Sequence, residues 1–83
     1  MSRLIFDIET DGLEPNTVWC IVTLDIDSGV FATYVDGQFG AFNKAVAAAD
    51  EVIGHNIIGY DIPACEKLLG TVFTATKVTD TLV

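Results

Sequence analysis

The sequence predicts an α/β domain built on a mixed sheet, with elements in the order βββαβα and a final strand. Three observations predict it. Three successive segments rich in β-formers are joined by turn-like links, and at least the second and third should pair as a hairpin. After residue 36 the pattern changes to helix, strand, helix, strand, which adds βα alternation and helices to flank the sheet. The 83 residues are 51% hydrophobic with a mean hydropathy of +0.47, the composition of a globular domain and not of a disordered tail. A chain of this length makes one small domain that buries roughly 60–65% of its unfolded surface, so its stability margin is thin.

The elements follow in order. Residues 3–9, RLIFDIE, read as the first strand, and TDGLEPN (10–16) as a loop punctuated by Gly12 and Pro15. TVWCIVTLDI (17–26) is the second strand, DSG (27–29) a tight turn, and VFATYV (30–35) the third strand. In DGQFGAFNKAVAAAD, Phe39, Phe42, Val46 and Ala49 recur at spacings of three and four, so the segment is an amphipathic helix with Asp36 as its N-cap. EVIGHN (51–56) is a fourth strand. YDIPACEKLLG is a second helix: Asp61 can cap it, Pro63 fits its first turn, and Gly70 fits just past its end. KVTDTLV begins a further strand, or a strand running into a helix cap at Asp80. Trp19, Phe31 and the two helical phenylalanines read as core.

Twelve acids stand against four bases, a net charge of −8. That is the wrong sign for holding nucleic acid by phosphate neutralisation alone. It suits a protein that binds cations through carboxylates, or one that simply stays soluble. Cys20 and Cys65 lack zinc-ligand spacing and read as buried free thiols in a reducing compartment. The start MSRLIF is too short for a signal peptide, and no apolar run approaches transmembrane length, so the expectation is a cytosolic protein with no membrane partner.

Asp7 and Glu9 lie one residue apart at the end of an apolar strand, so their side chains share a face. Two adjacent carboxylates need a proton, a cationic side chain or a metal ion to neutralise them. With four basic residues in the chain, a divalent cation is the most economical partner, and oxygen ligands favour Mg²⁺ or Mn²⁺. If the first and fourth strands are neighbours, His55, Asn56 and Asp61 come to the same sheet edge. Asp61 as a third acid would then allow two ions ~4 Å apart, the arrangement used in phosphodiester cleavage. Each residue also has a plainer reading. Asp7 and Glu9 can end a strand at a solvated rim, and Asp61 alone reads as an N-cap. Thr10 and Leu13 are by default loop residues, and His55 and Asn56 polar strand-end residues. Asp11, Glu14, Asp25, Asp27, Asp50 and Glu51 read as solvated loop acids.

DIETDGL at 7–13 resembles the first motif, D-x-E-T-x-x-L, of the DnaQ-like (DEDD) 3′–5′ exonuclease superfamily. HNIIGYD at 55–61 resembles its second motif, N-x(2–3)-[FY]-D. The spacing between them, the WC of the second strand and the final TDTLV look like the N-terminal part of the proofreading domain of phage family-A DNA polymerases. The resemblance runs from residue 4 to the last residue. It implies an RNase H-like fold and metal-assisted removal of nucleotides from a single-stranded DNA 3′ end, hence a hydrolase of DNA replication. It also implies roles: Asp7 and Glu9 on the first Mg²⁺ or Mn²⁺, and Asp7 facing the second, whose waters Asp61 orders. Thr10 and Leu13 would lie against the terminal nucleotide, and Asn56 and Tyr60 against the substrate strand.

The family's third motif, Y-x-x-x-D or H-x-x-x-x-D, has no counterpart in these residues, and Asp80 has neither Tyr nor His ahead of it at that spacing. The expectation is a partial exonuclease domain over residues 1–83, truncated before the last helices and inactive alone or nearly so. A second chain carrying the remainder, or a polymerase, would be its partner. Without the family's covering helix, apolar sheet surface should be exposed. The alternative is a non-catalytic, replication-associated interaction protein on the same fold.

Overall fold

The computed structural model describes residues 2–12, 14–73 and 77–82. The strands are β1 (Arg3–Thr10), β2 (Val18–Asp25), β3 (Val30–Val35), β4 (Glu51–Gly54) and β5 (Lys77–Asp80). The helices are α1 (Phe39–Ala48) and α2 (Ile62–Leu69), with a π-helix at Ile57–Asp61 running into α2. The strands form one sheet in the order β3-β2-β1-β4-β5. The β1–β2 and β2–β3 pairs are antiparallel, and β4 and β5 add in parallel beside β1. This is the predicted mixed sheet.

Alternation along the strands separates two faces. Leu4, Phe6 and Ile8 of β1 and Ile21 and Thr23 of β2 are buried, while Ile5, Asp7 and Glu9 point the other way and are exposed. The buried stripe Phe42 and Val46 of α1, Ala49 just after it, and Ala64 and Cys65 of α2 complete a single core with the inward strand residues. At its centre the Phe6 ring lies 5.7 Å from Phe42 and 6.0 Å from Phe73. The two helices are joined by Asn43 of α1, which donates to the Leu69 carbonyl at 2.9 Å. Both helices therefore cover one face.

The other face carries an apolar row. Register aligns Phe31, Leu24, Ile5 and Ile53 across four strands, with Val22 opposite Asp7. Phe31 is 71% exposed and Val22 41%. The expected exposed sheet surface is present, and it overturns two core assignments. Phe31 lies on this open face, and Trp19, beside a register shift between Glu9 and Thr10, is 61% exposed. Hydrophobic identity marks a residue that gains from burial, not one that has a neighbour to bury it.

Other expectations also change. Asp36 does not cap α1. Gly37, at φ +86, intervenes, and Gln38 occupies the N-cap and turns its Oε1 back to the Val35 N–H at 3.1 Å. Cys20 is half-buried, so only Cys65 fits the buried-thiol reading, and burial pushes its pKa up to about 12. Among the described residues, no helix is long and apolar enough to cross a membrane.

Candidate functional site

The site is built where β4 stops short. β4 pairs with β1 only from Arg3 to Ile5. It ends at Gly54, two residues before the predicted end, where the chain lies close against β1 and its own next turn. A Cβ on Gly54 would lie 3.0 Å from the Phe6 carbonyl oxygen and collide with the Ile57 side chain. Asn56 then takes a left-handed conformation, φ 57 and ψ 31, which asparagine tolerates better than most residues. From there the chain winds into the π-helix, a form that composition did not predict. Gly70 ends α2 at φ 66, as expected of a helix C-terminus.

The π-helix delivers Asp61 to β1. Its Oδ2 accepts the backbone N–H of Ile8 at 3.3 Å. Asp61 has helical φ and ψ of −63 and −45 and makes no side-chain cap bond, so the N-cap reading is overturned: its carboxylate serves a strand 53 positions away. It is buried, at 5% exposure. Burial raises its pKa from 3.8 to about 6; the Ile8 N–H opposes the rise, and the charges of Asp7 and Asp80 add to it. The charge of Asp7 therefore reaches Asp61 across the edge of β1.

Asp7 and Glu9 are both exposed on the open face, as alternation predicted. Among the described residues, no three His, Cys, Asp or Glu side chains are gathered closely enough to hold a metal ion. The donor chemistry suits a hard cation, three carboxylates offering only oxygen.

The other residues singled out in the sequence surround this edge. The Thr10 and Tyr60 hydroxyls are hydrogen-bonded to each other. The Tyr60 hydroxyl donates to the Gly12 carbonyl at 2.5 Å, and the single Thr10 hydroxyl proton is shared between Tyr60 and the same carbonyl, whose oxygen lies 3.0 Å from Thr10 Oγ1. The two motifs are thus stitched together through their own hydroxyls. Leu13 lies outside the described residues. Asn56 is exposed, and its carbonyl accepts the Tyr60 N–H at 3.1 Å. Tyr60 also borders an open cleft of about 280 Å³ lined by Glu14, Pro15, Gly59, Pro63, Ala64 and Lys67.

Near this edge, two acids gain roles that sequence reasoning missed, as do others away from it: Asp27 pairs with the Arg3 guanidinium at 2.8 Å, and Asp50 accepts the Ser2 N–H at 2.8 Å. Asp11 braces the loop after β1, accepting the N–H groups of Asn16 at 3.0 Å and Thr17 at 3.1 Å, bonds that lower its pKa. Asp80 ends β5, and its carboxylate reaches across to the turn after β4. Its Oδ1 accepts the N–H of Asn56 at 2.9 Å, and its Oδ2 that of Ile58 at 2.9 Å. Neither had a local signal beyond the acid itself.

Comparison with known proteins agrees with the fold. The chain is similar to the solved family B DNA polymerase of the hyperthermophilic archaeon Pyrobaculum calidifontis, with a TM-score of 0.74 at 18% identity. The match covers 98% of this chain and 15% of the polymerase chain, so this chain spans a small part of that protein's length. At that identity the likeness is one of fold. A search of the curated proteins gives no match. The RNase_H_2 family model matches residues 4–81, nearly the whole chain. The sheet order, the parallel β4 and β5 and the helices on one face fit that match, and the chain belongs to the RNase_H superfamily.

Proposed function

We propose that these residues are the N-terminal portion of a metal-dependent 3′–5′ DNA exonuclease domain of the DnaQ-like kind, a proofreading domain related to those of phage family-A DNA polymerases. One observation carries the reading. Asp61 of the second motif accepts a hydrogen bond from the backbone of Ile8, the residue between Asp7 and Glu9 of the first. Acids far apart in the chain are thus brought to one edge, where burial first, and the charge of Asp7 after it, raises the pKa of Asp61 to about 6.

In this reading Asp7 and Glu9 would hold one Mg²⁺ or Mn²⁺, and Asp7 would face a second whose waters Asp61 orders, so no three of these carboxylates need share one ion. When bound, such ions supply water activation and stabilise the leaving oxygen of phosphodiester cleavage. The protein's own part is positional. Thr10 and Tyr60, locked through Gly12, shape the wall against which a DNA 3′ terminus lies. Leu13 and Asn56 complete that contact. These residues carry two of the family's three motifs, so we expect little cleavage from this chain alone. The remainder of the domain, together with a polymerase, is the expected partner of these residues, in a reducing cytosol.

The test is Mn²⁺ titration followed by NMR. Paramagnetic broadening should centre on Asp7–Glu9 and Tyr60–Ile62 and vanish in Asp7→Ala. Broadening elsewhere, or none, sinks the metal reading. In parallel, robust cleavage of labelled single-stranded DNA by this chain, lost in Asp7→Ala, would show that the third motif is dispensable.

A second reading has its own observation, the open apolar face with Phe31 71% exposed. A non-catalytic interaction protein would use that face for a replication partner. A monodisperse monomer that binds no metal but takes up one specific partner would favour it.

A further inference from the structure

Asp80 stands apart from the acids of the proposed site because the backbone occupies its oxygens. It accepts from Asn56, Ile58 and also Leu82, each at 2.9 Å. These N–H groups, led by those of Leu82 and Ile58, hold its pKa below the ordinary carboxylate range. Two of the donors open the π-helix. The first N–H groups of any helix lack partners within it, and here a residue 22 to 24 positions downstream supplies them. The neighbouring groups reinforce the join: the Thr81 N–H donates to the Gly54 carbonyl at 2.9 Å, and Thr81 Oγ1 lies 3.3 Å from His55 Nδ1. The end of β5 is therefore fastened to the turn that follows β4. Asn56, held left-handed within that turn, sets the direction in which the π-helix leaves.

We propose that Asp80 is a positioning residue, a remote cap that fixes the start of the π-helix and so seats the Asp61 carboxylate on the Ile8 N–H, and that it is not itself a cation ligand. Its effect on cation binding rests on the reading given under Proposed function; its effect on the Asp61–Ile8 contact does not. Length matters more than charge in this role. Glutamate at position 80 keeps the charge and adds a methylene, so it displaces the two oxygens from both donors. Asparagine loses the charge but keeps one acceptor oxygen in place.

Amide hydrogen exchange on the full chain tests the proposal. In Asp80→Ala, the Asn56 and Ile58 amides should exchange roughly tenfold faster or more, as expected for lost bonds to a charged acceptor. The Ile8 amide should follow by a comparable factor, while Ile21 and Thr23 of β2 stay as they were. Asp80→Glu should resemble Asp80→Ala, and Asp80→Asn should keep part of the protection at Ile8. If Asp80→Ala does not fold, the Asn and Glu variants carry the same comparison. An Ile8 amide unmoved when Asn56 and Ile58 are released overturns the proposal, as does full protection in Asp80→Glu. Mn²⁺ broadening in the same samples answers separately. A wild-type chain that binds no Mn²⁺ fails the metal reading, while the Ile8 comparison still decides the role of Asp80.

Discussion

The Asp61 carboxylate accepts the backbone N–H of Ile8 at 3.3 Å, and this bond joins the end of the π-helix to the middle of the Asp7–Glu9 pair. It places a buried acid beside an exposed one, and most of the testable behaviour of this edge follows from that.

Asp61 should make the fold less stable as pH rises. Its folded pKa is about 6 against an ordinary 3.8, so the folded chain holds that proton more tightly than the unfolded one. The stability it contributes is intact below about pH 4 and lost as pH rises through about 6. At about 1.4 kcal/mol per pH unit, the loss at pH 7 is on the order of 3 kcal/mol. Asp61→Asn retains an oxygen for the Ile8 N–H and discards the charge. It should exceed wild type by up to ~3 kcal/mol at pH 7 in urea titrations and match it near pH 3.5. Equal stability at pH 7 would mean that burial exacts no penalty from Asp61.

Divalent cations should reverse that penalty. At roughly a hundred times its Kd, Mn²⁺ would add about 2.7 kcal/mol. For a domain of this size that is a rise in Tm of roughly 10 °C or more. The rise should disappear with EDTA or in Asp7→Ala, and shrink at pH 5, where protons compete for Asp61. Thermal melts with and without Mn²⁺ read this directly.

Gly54→Ala should loosen the site. The added methyl meets the Ile57 side chain and the Phe6 carbonyl. Overpacking of this kind costs about 1–3 kcal/mol. Urea midpoints should fall accordingly, with faster exchange at the Ile8 amide. A neutral substitution would show that β4 does not need its close approach.

Two phenylalanines should behave oppositely. Phe42 is fully buried, and Phe42→Ala should cost about 3–5 kcal/mol. Phe31, on the open face, should tolerate Phe31→Ser within about 0.5 kcal/mol. The same change should weaken binding of a hydrophobic dye such as ANS, and unaltered dye binding would place the apolar surface elsewhere.

The strands, α1 and α2 were legible because their signals are local. Alternation in RLIFDIET and VFATYV, the Phe42–Val46 stripe and Gly70 after LeuLeu each act within a few residues. The shared face of Asp7 and Glu9 followed from the strand period alone. What was not legible depends on distant neighbours. An Asp two residues before a proline looks like an N-cap, and only the Ile8 N–H, 53 positions away, shows that Asp61 serves a strand. The π-helix has no compositional mark either, since Asp80 holds its start from another strand. Trp19 and Phe31 were misplaced because a strand pattern identifies two faces without saying which one is covered.

The chain order of the sheet also sets a folding sequence. β1, β2 and β3 follow one another as neighbours, so their pairing closes short loops and can form early. β4 must cross back to β1, and the Asp61–Ile8 contact must close across 53 positions. We expect the acidic edge, whose contacts span the longest separations, to assemble after the meander and to open before it. A brief local opening could release Asp61 into solvent while the three-strand meander stays intact, so the lifetime of the site is shorter than the lifetime of the fold.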